Sequence, residues 1–509
     1  MLNSFADIDL FFAKRAFPEA NESEKIFLAT LMAVSRQGNL CLHIDNNQIA
    51  PSLEFLTADP EHLNHLKEKV IEGSQTLPKE LHFIKQENNR WYLKRNWNFE
   101  TKFIHHLERL KSAQPKISIK DPGIIEGLNS EQNEALKKAL TQTFSLISGG
   151  PGTGKSYVAS HLVTQFLLAS PENTRIVLAA PTGKAAAHLA SKMPKDARIR
   201  SGTLHMLLKL SSSSQLNGEK GYLGADLLIV DESSMIDAPL FSYLLASLES
   251  GTRIVLMGDE EQLPPVEVGS LFADLIEAVK SGFALSSSHL NKCMRSDRLE
   301  ILQLAESIKK GYVENLEIEA VDPLCLHHYF RPPSFDMPKY EESQSFSILS
   351  CMRQGPLGVD LLNQLIVSQL LSQAKQGQYF VAPIIITKND YAQKLYNGQT
   401  GVLVRRIGYE SEDKVLFSDR ELPFISLSHF EYAYVISVHK SQGSEYDHVL
   451  LIVPPGSEVF GRELLYTAVT RARNKIEIKG DRQAFLQALT KSSRKISGLK
   501  VRTPPATSS

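Results

Sequence analysis

Cysteine is scarce, with four in 509 residues: Cys41, Cys293, Cys325 and Cys351, spaced 252, 32 and 26 apart. No CxxC pair occurs, so zinc ribbons, dithiol redox motifs and compact iron–sulfur clusters lack their ligands. An excess of charge of one sign is also missing: 56 Lys+Arg face 57 Asp+Glu, a net charge of −1. That excludes a histone-like basic coat, and any polyanion that binds must do so in a local groove. No apolar run approaches ~18 residues, which excludes a membrane-spanning helix. The opening MLNSFADIDLFF carries acids where a secretory signal has its basic region, and the thiols are scattered, so a cytoplasmic protein is expected. What is present is ordinary globular composition, 42% hydrophobic and 22% charged. At roughly 150 residues per domain, the length suggests three or four domains.

Residues 1–115 contain no chemical motif and are expected to form a mainly helical domain. SEKIFLATLMAVSRQG repeats its apolar residues at helical spacing and stops before Gly38. Residues 1–60 hold eight acids against four bases, and the region reads equally as a partner-docking module or as a small domain packed on the rest. From residue 116 to 290, short apolar runs (TFSLIS, RIVLAA, ADLLIV, RIVLMG) alternate with helical stretches, the pattern of a parallel sheet covered on both faces. SSSSQLNGEKG within it is expected to be a solvent-facing loop. A second alternating series spans 291–490. It is interrupted at 383–431 by a texture of short β runs with turn signals at Asn397-Gly398 and Gly401, expected to form a small antiparallel insertion. From Arg471 onward ten Lys/Arg meet two acids, and 491–509 is expected to be a basic, disordered tail.

The strongest signal is GGPGTGKS, which directly follows an apolar strand and opens a helix. Gly149, Gly150, Pro151, Gly152, Thr153 and Gly154 let successive backbone N–H groups converge on phosphate oxygens, at the positive end of a helix. Lys155 neutralises the phosphates and the Ser156 hydroxyl is a Mg²⁺ ligand. LLIVDESS then places Asp231 and Glu232 at the end of a buried strand, Asp231 for the metal and Glu232 for the attacking water. A strand capped by acids is common by itself; following a phosphate loop, it completes an NTPase. An ATP site with Mg²⁺ is therefore expected, although such loops serve kinases, switches and motors alike.

Four further blocks narrow the class. RIVLMGDEEQLPPVEVGS offers Gln262 beside the stiff Leu263-Pro264-Pro265, where it can sense a γ-phosphate. SVHKSQGSEYDHVLLIV runs a polar turn into a strand. ELLYTAVTRAR carries Arg471 and Arg473, expected on a helix, and NKCMRSD carries Arg295. Cations so distant in sequence from the phosphate loop suit a second domain that closes on the nucleotide and neutralises charge developing on its γ-phosphate. A surface salt bridge would explain any one of them. It does not explain the set.

With LNSEQNEAL, APTGKAAAHLA and GTLHMLL added in order, the chain resembles the superfamily 1 helicases. It is most similar to the RecD family, the alpha subunits of exodeoxyribonuclease V, over residues 128 to about 480. The resemblance implies an α/β fold of two RecA-like P-loop domains, with an SH3-like β insertion in the second. It implies that Gln132 reads the adenine edge, that Glu445 lies near the ribose, and that Gln262, Arg295 and Arg471 surround the γ-phosphate. Met294 stands where many relatives carry an adenine-stacking aromatic. Pro181, Thr182, Gly183, Lys184, Thr203 and His205 are implied to contact DNA, with His439 on the same face. Loops at the C-terminal edge of a parallel sheet, rich in hydroxyls and N–H groups, suit that role. Implied too are 5′→3′ movement on single-stranded DNA, action at duplex ends, and a heterotrimer with RecB-like and RecC-like subunits in double-strand break repair. Only about 35 residues follow the arginine block, so no nuclease site is expected. A stand-alone DNA or RNA helicase and an ATP-switched assembly subunit are the competing readings.

Overall fold

From Phe144 onward, buried apolar runs pair side by side as parallel strands. The computed structural model describes residues 5–503 apart from 122, 211–221, 294–298, 315, 337–344, 389, 391 and 419. The loop expected at 211–221 therefore lies outside the described residues. The first sheet has six strands in the order Ser286–Leu290, Phe144–Gly149, Arg253–Gly258, Leu227–Val230, Ile176–Ala180 and Ile199–Thr203, each parallel to its neighbour. All six strands end at one edge, which collects the phosphate loop, the Asp231-Glu232 pair, the Gln262 loop and Thr203. The second lobe pairs Val435–Ser437, Phe346–Ser350, Tyr446–Val453 and Ala472–Gly480, also all parallel. The expected α/β class with two parallel-sheet lobes is thus present.

The interruption of the second lobe is an antiparallel sheet in the linear order Glu421–Pro423, Lys414–Leu416, Thr400–Arg406, Tyr379–Ile386 and Phe430–Tyr432. It shares one hydrophobic cluster with its host: Phe380, Ile384 and Leu403 pack together with Leu362, Ile366, Leu450 and Ile452. Gly398, at φ +84°, makes the expected turn. Gly401 does not turn; it lies within a strand, where a Cβ would approach the Phe417 ring to 2.8 Å.

Among its described residues the N-terminal region has four helices, Asp7–Ala16, Glu22–Arg36, Pro60–Thr76 and Lys94–Lys111, and a four-stranded antiparallel sheet that its sequence pattern had not signalled. Two hairpins build the sheet. Each turns on Asn-Asn, with φ of +46° and +64° at Asn46 and Asn47, and +49° and +58° at Asn88 and Asn89. Two positive φ values in a two-residue hairpin favour Asn or Gly, whose small side chains tolerate the left-handed region. The Lys94–Lys111 helix joins this region to the first lobe, with Phe103, Leu107 and Leu110 in the same core as Phe241, Leu244 and Leu245.

The tail is the largest correction. Residues 491–503 are packed, not disordered: Leu499 is fully buried in the first lobe's core and Leu499–Arg502 is a helical turn. Arg494, Lys500 and Arg502 pair with Glu261, Glu277 and Glu100, and Lys495 donates to backbone carbonyls, so much of a charge excess that reads as solvated in the sequence is engaged in the fold. Residues 504–509 lie outside the described residues.

Candidate nucleotide cleft and strand-binding face

The phosphate loop leaves a fully buried strand and enters the Lys155–Ala169 helix through Gly152 and Gly154, at φ +77° and +87°. Thr153 Oγ1 donates to the Gly150 carbonyl at 2.8 Å, and Lys155 Nζ donates to the carbonyls of Gly149 and Gly150 at 2.5 and 3.0 Å. The ammonium is thus held inside the curl of the loop. Gln132, 1% exposed, fixes the loop from behind: Nε2 donates to the Thr153 carbonyl at 3.1 Å, while Oε1 accepts from the Asn129 N–H at 3.1 Å in a capping box. The side chain implied to read adenine therefore also shapes the phosphate loop.

Asp231 and Glu232 end the Leu227–Val230 strand. Glu232 has φ +50°, a left-handed conformation that costs a non-glycine residue about 1–2 kcal/mol. It is braced by its own N–H donating to Asp231 Oδ1 at 2.9 Å. Such backbone outliers concentrate where a side chain must be aimed. Burial raises the Asp231 carboxyl, with Lys155 opposing, and burial together with the Asp231 charge raises Glu232 against the pull of Arg471 and Lys155. Among the described residues no group of three or more His, Cys, Asp or Glu could hold a metal unaided. A divalent ion that arrives with phosphate oxygens fits Ser156 and Asp231, and the left-handed glycines of the loop with the Lys155 ammonium in its curl fit the phosphates.

The second lobe closes over this edge. Tyr466, on the Gly461–Val469 helix, donates its hydroxyl to Asp259 Oδ2 at 2.9 Å, and a Cβ at Gly150 would come within 3.3 Å of that hydroxyl. Thr467 Oγ1 accepts from the Leu263 N–H at 2.9 Å. Gln262 is 6% exposed; Nε2 donates to Asp259 Oδ2 at 3.4 Å, and Oε1 has no partner among the described residues. A buried amide oxygen left free is an acceptor suited to a water. Neither Tyr466 nor Asp259 stood out as a site residue in the sequence, although Tyr466 is the one aromatic in LYTAVTRAR.

Arg471 and Arg473 do not share a helix. The helix ends at Val469 with Thr470 as cap, Arg471 is in the turn, and Arg473 is in the Ala472–Gly480 strand. The alternation in NKIEI draws the chain out of the helix, because Ile476 and Ile478 pair with Val449 and Leu451. Arg471, 3% exposed, donates to the carbonyls of Thr467 and Ser444, both at 3.1 Å, and acts electrostatically on Glu232 across the cleft. Arg473 pairs with Glu445 at 3.1 Å. Arg295 and Met294 lie outside the described residues.

The strand-binding candidates divide into two groups. Thr182 and Thr203 cap helices, each Oγ1 accepting a backbone N–H at 3.2 Å, and Pro181 and Gly183 flank the first cap. His205 is exposed beside Thr203, and His439 is half-buried against Phe460 at 6.0 Å between ring centroids. Lys184 instead turns into the seam between the lobes, 5.7 Å from the Tyr446 ring centroid, where burial and the nearby Arg473 and Arg471 lower its pKa to about 8.

Residues 127–328 match the AAA domain family and 432–476 the UvrD-like helicase C-terminal domain. The RecBCD enzyme subunit RecD of Mycolicibacterium smegmatis is 30% identical, over 99% of this chain and 99% of that protein. The chain belongs to the RecD family. The subunit of the same name from Haemophilus influenzae is 26% identical over 91% and 90% of the two chains. The ATP-dependent RecD2 DNA helicase of Deinococcus radiodurans is 29% identical over 71% of this chain and 50% of that one. Among solved structures, the Pif1 helicase of Candida albicans is 18% identical over 71% of this chain and 98% of that one, at a TM-score of 0.42. This RecD-family chain is an ATP-hydrolysing DNA helicase with a RecA-like core. No helix among the described residues is long and apolar enough to cross a membrane.

Proposed function

We propose that the chain moves 5′→3′ along single-stranded DNA. In this reading it acts at duplex ends as the RecD-like subunit of a cytoplasmic RecBCD-type helicase–nuclease in double-strand break repair, in a heterotrimer with RecB-like and RecC-like subunits. The observation that carries the reading is the docking of Tyr466 and Thr467 from one lobe against Asp259 and Leu263 of the other, with the Arg471 charge acting on Glu232. Hydrolysis that alters this seam alters how the lobes sit on a strand.

The loop of residues 149–154, through the backbone N–H groups of its non-proline residues, and Lys155 bind the triphosphate, Gln132 faces the base and Glu445 the ribose. Ser156 and Asp231 would hold a Mg²⁺ ion, which would supply Lewis-acid neutralisation of phosphate charge. Glu232 accepts a proton from the attacking water, Gln262 orients that water, and Arg471 with Arg295 neutralises the transferred phosphoryl group. Pro181, Thr182, Gly183, Thr203, His205 and His439 line the strand path, contacting mainly phosphates and so binding with little sequence preference and strong salt dependence. Lys184 in this account reports closure of the seam.

Strand displacement from duplexes bearing a single-stranded tail tests the proposal, with and without partner subunits. ATP-dependent release from 5′-tailed substrates is expected, and Lys155→Ala abolishes it. Release from 3′-tailed substrates alone, or ATP hydrolysis without displacement of either, overturns it.

A further inference from the structure

Residues 491–503 cross three bodies in thirteen residues. At the start, Ser492 Oγ and the Ser493 N–H donate to Glu463 at 2.6 and 2.7 Å, and Glu463 is a buried residue of the same second-lobe helix that carries Tyr466 and Thr467. In the middle, Arg494 pairs with Glu261 at 2.9 Å. Lys495 Nζ donates to three successive carbonyls of the Gln262 loop: Pro265, Val266 at 3.0 Å, and Glu267. At the far end, the segment reaches the N-terminal region. Ile496 exchanges hydrogen bonds with Asn39 and Leu40 at 2.9 Å each, the Gly498 N–H donates to Glu100 at 2.8 Å, and Arg502 pairs with Glu100 at 2.9 Å.

The fit is built into the N-terminal region as well. Gly38, at φ +86°, leaves the space that the Lys495 ammonium fills, and Gly498 lies where any side chain would collide with the Tyr92 hydroxyl. A lysine that caps three carbonyls of one loop fixes that loop's backbone, because each carbonyl otherwise has to find water or another donor. The proline pair stiffens one side of the loop, and Lys495 pins the other. The acids Glu267 and Asp237 partly offset the burial of its charge.

From this geometry we infer that the C-terminal segment is a clasp that sets the position of the Gln262 loop and ties it to the N-terminal region, with Lys495 as a positioning residue for ATP hydrolysis. A partner that shifts the N-terminal region would then be felt at the cleft, through Glu100, Ile496 and Lys495. The inference rests on Gln262 belonging to the hydrolytic site, as proposed above.

The test uses the full chain, comparing wild type with Lys495→Met, and with Arg502→Met, which touches only the far anchor. Two quantities are read: amide hydrogen exchange across residues 260–268, and the kcat and KM of DNA-stimulated ATP hydrolysis. Lys495→Met is expected to speed exchange in the loop at least tenfold and to lower kcat about five- to twentyfold with KM for ATP within twofold. Arg502→Met shifts both in the same direction by less, and keeps the inference testable should Lys495→Met fail to fold. Loop exchange at the wild-type rate in either folded variant overturns the clasp, as does a loss confined to KM. Failure of the ATPase reading shows separately, as wild-type hydrolysis by Lys155→Ala, and leaves the exchange measurement valid.

Discussion

Asp274 shows how one buried carboxyl can set the pH response of the fold. Its Oδ2 is sealed from solvent with no hydrogen-bond partner among the described residues, and burial pushes its pKa up to about 8. Ser497 and Arg494 pull it down, and Glu100 and Glu277 raise it further. The native state therefore holds a proton that the unfolded chain releases near pH 4. The stabilisation is complete below that pH and is lost as pH rises through about 8. Asp274→Asn, which stays neutral throughout, should flatten the decline in melting temperature between pH 6 and 9. An unchanged slope would remove Asp274 as its source. Gln132 and Lys184 carry a different lesson at this scale. Each was legible as a residue of the family's motifs, and Asn129 three residues before Gln132 has the spacing of a capping box, but no local pattern signals that Gln132 braces the phosphate loop or that Lys184 lies in the seam.

Among the elements, legibility followed length and periodicity. The Glu22–Arg36 helix and the core strands were readable, because amphipathic repeats and continuous apolar runs state which surface is buried. The N-terminal sheet was not: its strands are three to five residues long, too short for a period to emerge, and its turns are Asn-Asn instead of the more familiar Asn-Gly. The Gly461–Val469 helix was read about one turn too long, through Arg473, since only pairing with a neighbouring strand shows where it must stop. The packed tail was hidden for a similar reason, as its partners Glu463, Glu261 and Glu100 are scattered over the chain. Glu100 is fully buried and accepts from Tyr92, Gly498 and Arg502, so Glu100→Ala leaves three donors short of an acceptor. Removing one partner from a buried pair costs roughly 3–5 kcal/mol. A loss of about 3 kcal/mol in a denaturant melt is expected, and a loss below about 1 kcal/mol would mean that the tail's far anchor is not held in solution.

At the scale of the whole molecule, the bodies share cores and hydrogen bonds instead of merely adjoining. The N-terminal region lends Phe103 and Leu107 to the first lobe's core, Leu263 of the first lobe packs within the second lobe's cluster, and the tail crosses all three. Motion between the lobes is therefore motion of the Tyr466–Asp259 and Thr467–Leu263 contacts. That makes Arg471 the side chain on which the account depends most, since it stands on the second lobe and acts on Glu232 of the first. The most direct measurement is single-turnover hydrolysis of bound ATP by Arg471→Ala on single-stranded DNA, alongside the affinity for nucleotide. Nucleotide binding is expected within a few-fold of wild type and hydrolysis slower by about 10³-fold or more, the scale of a lost arginine finger. Hydrolysis within a few-fold of wild type would contradict it.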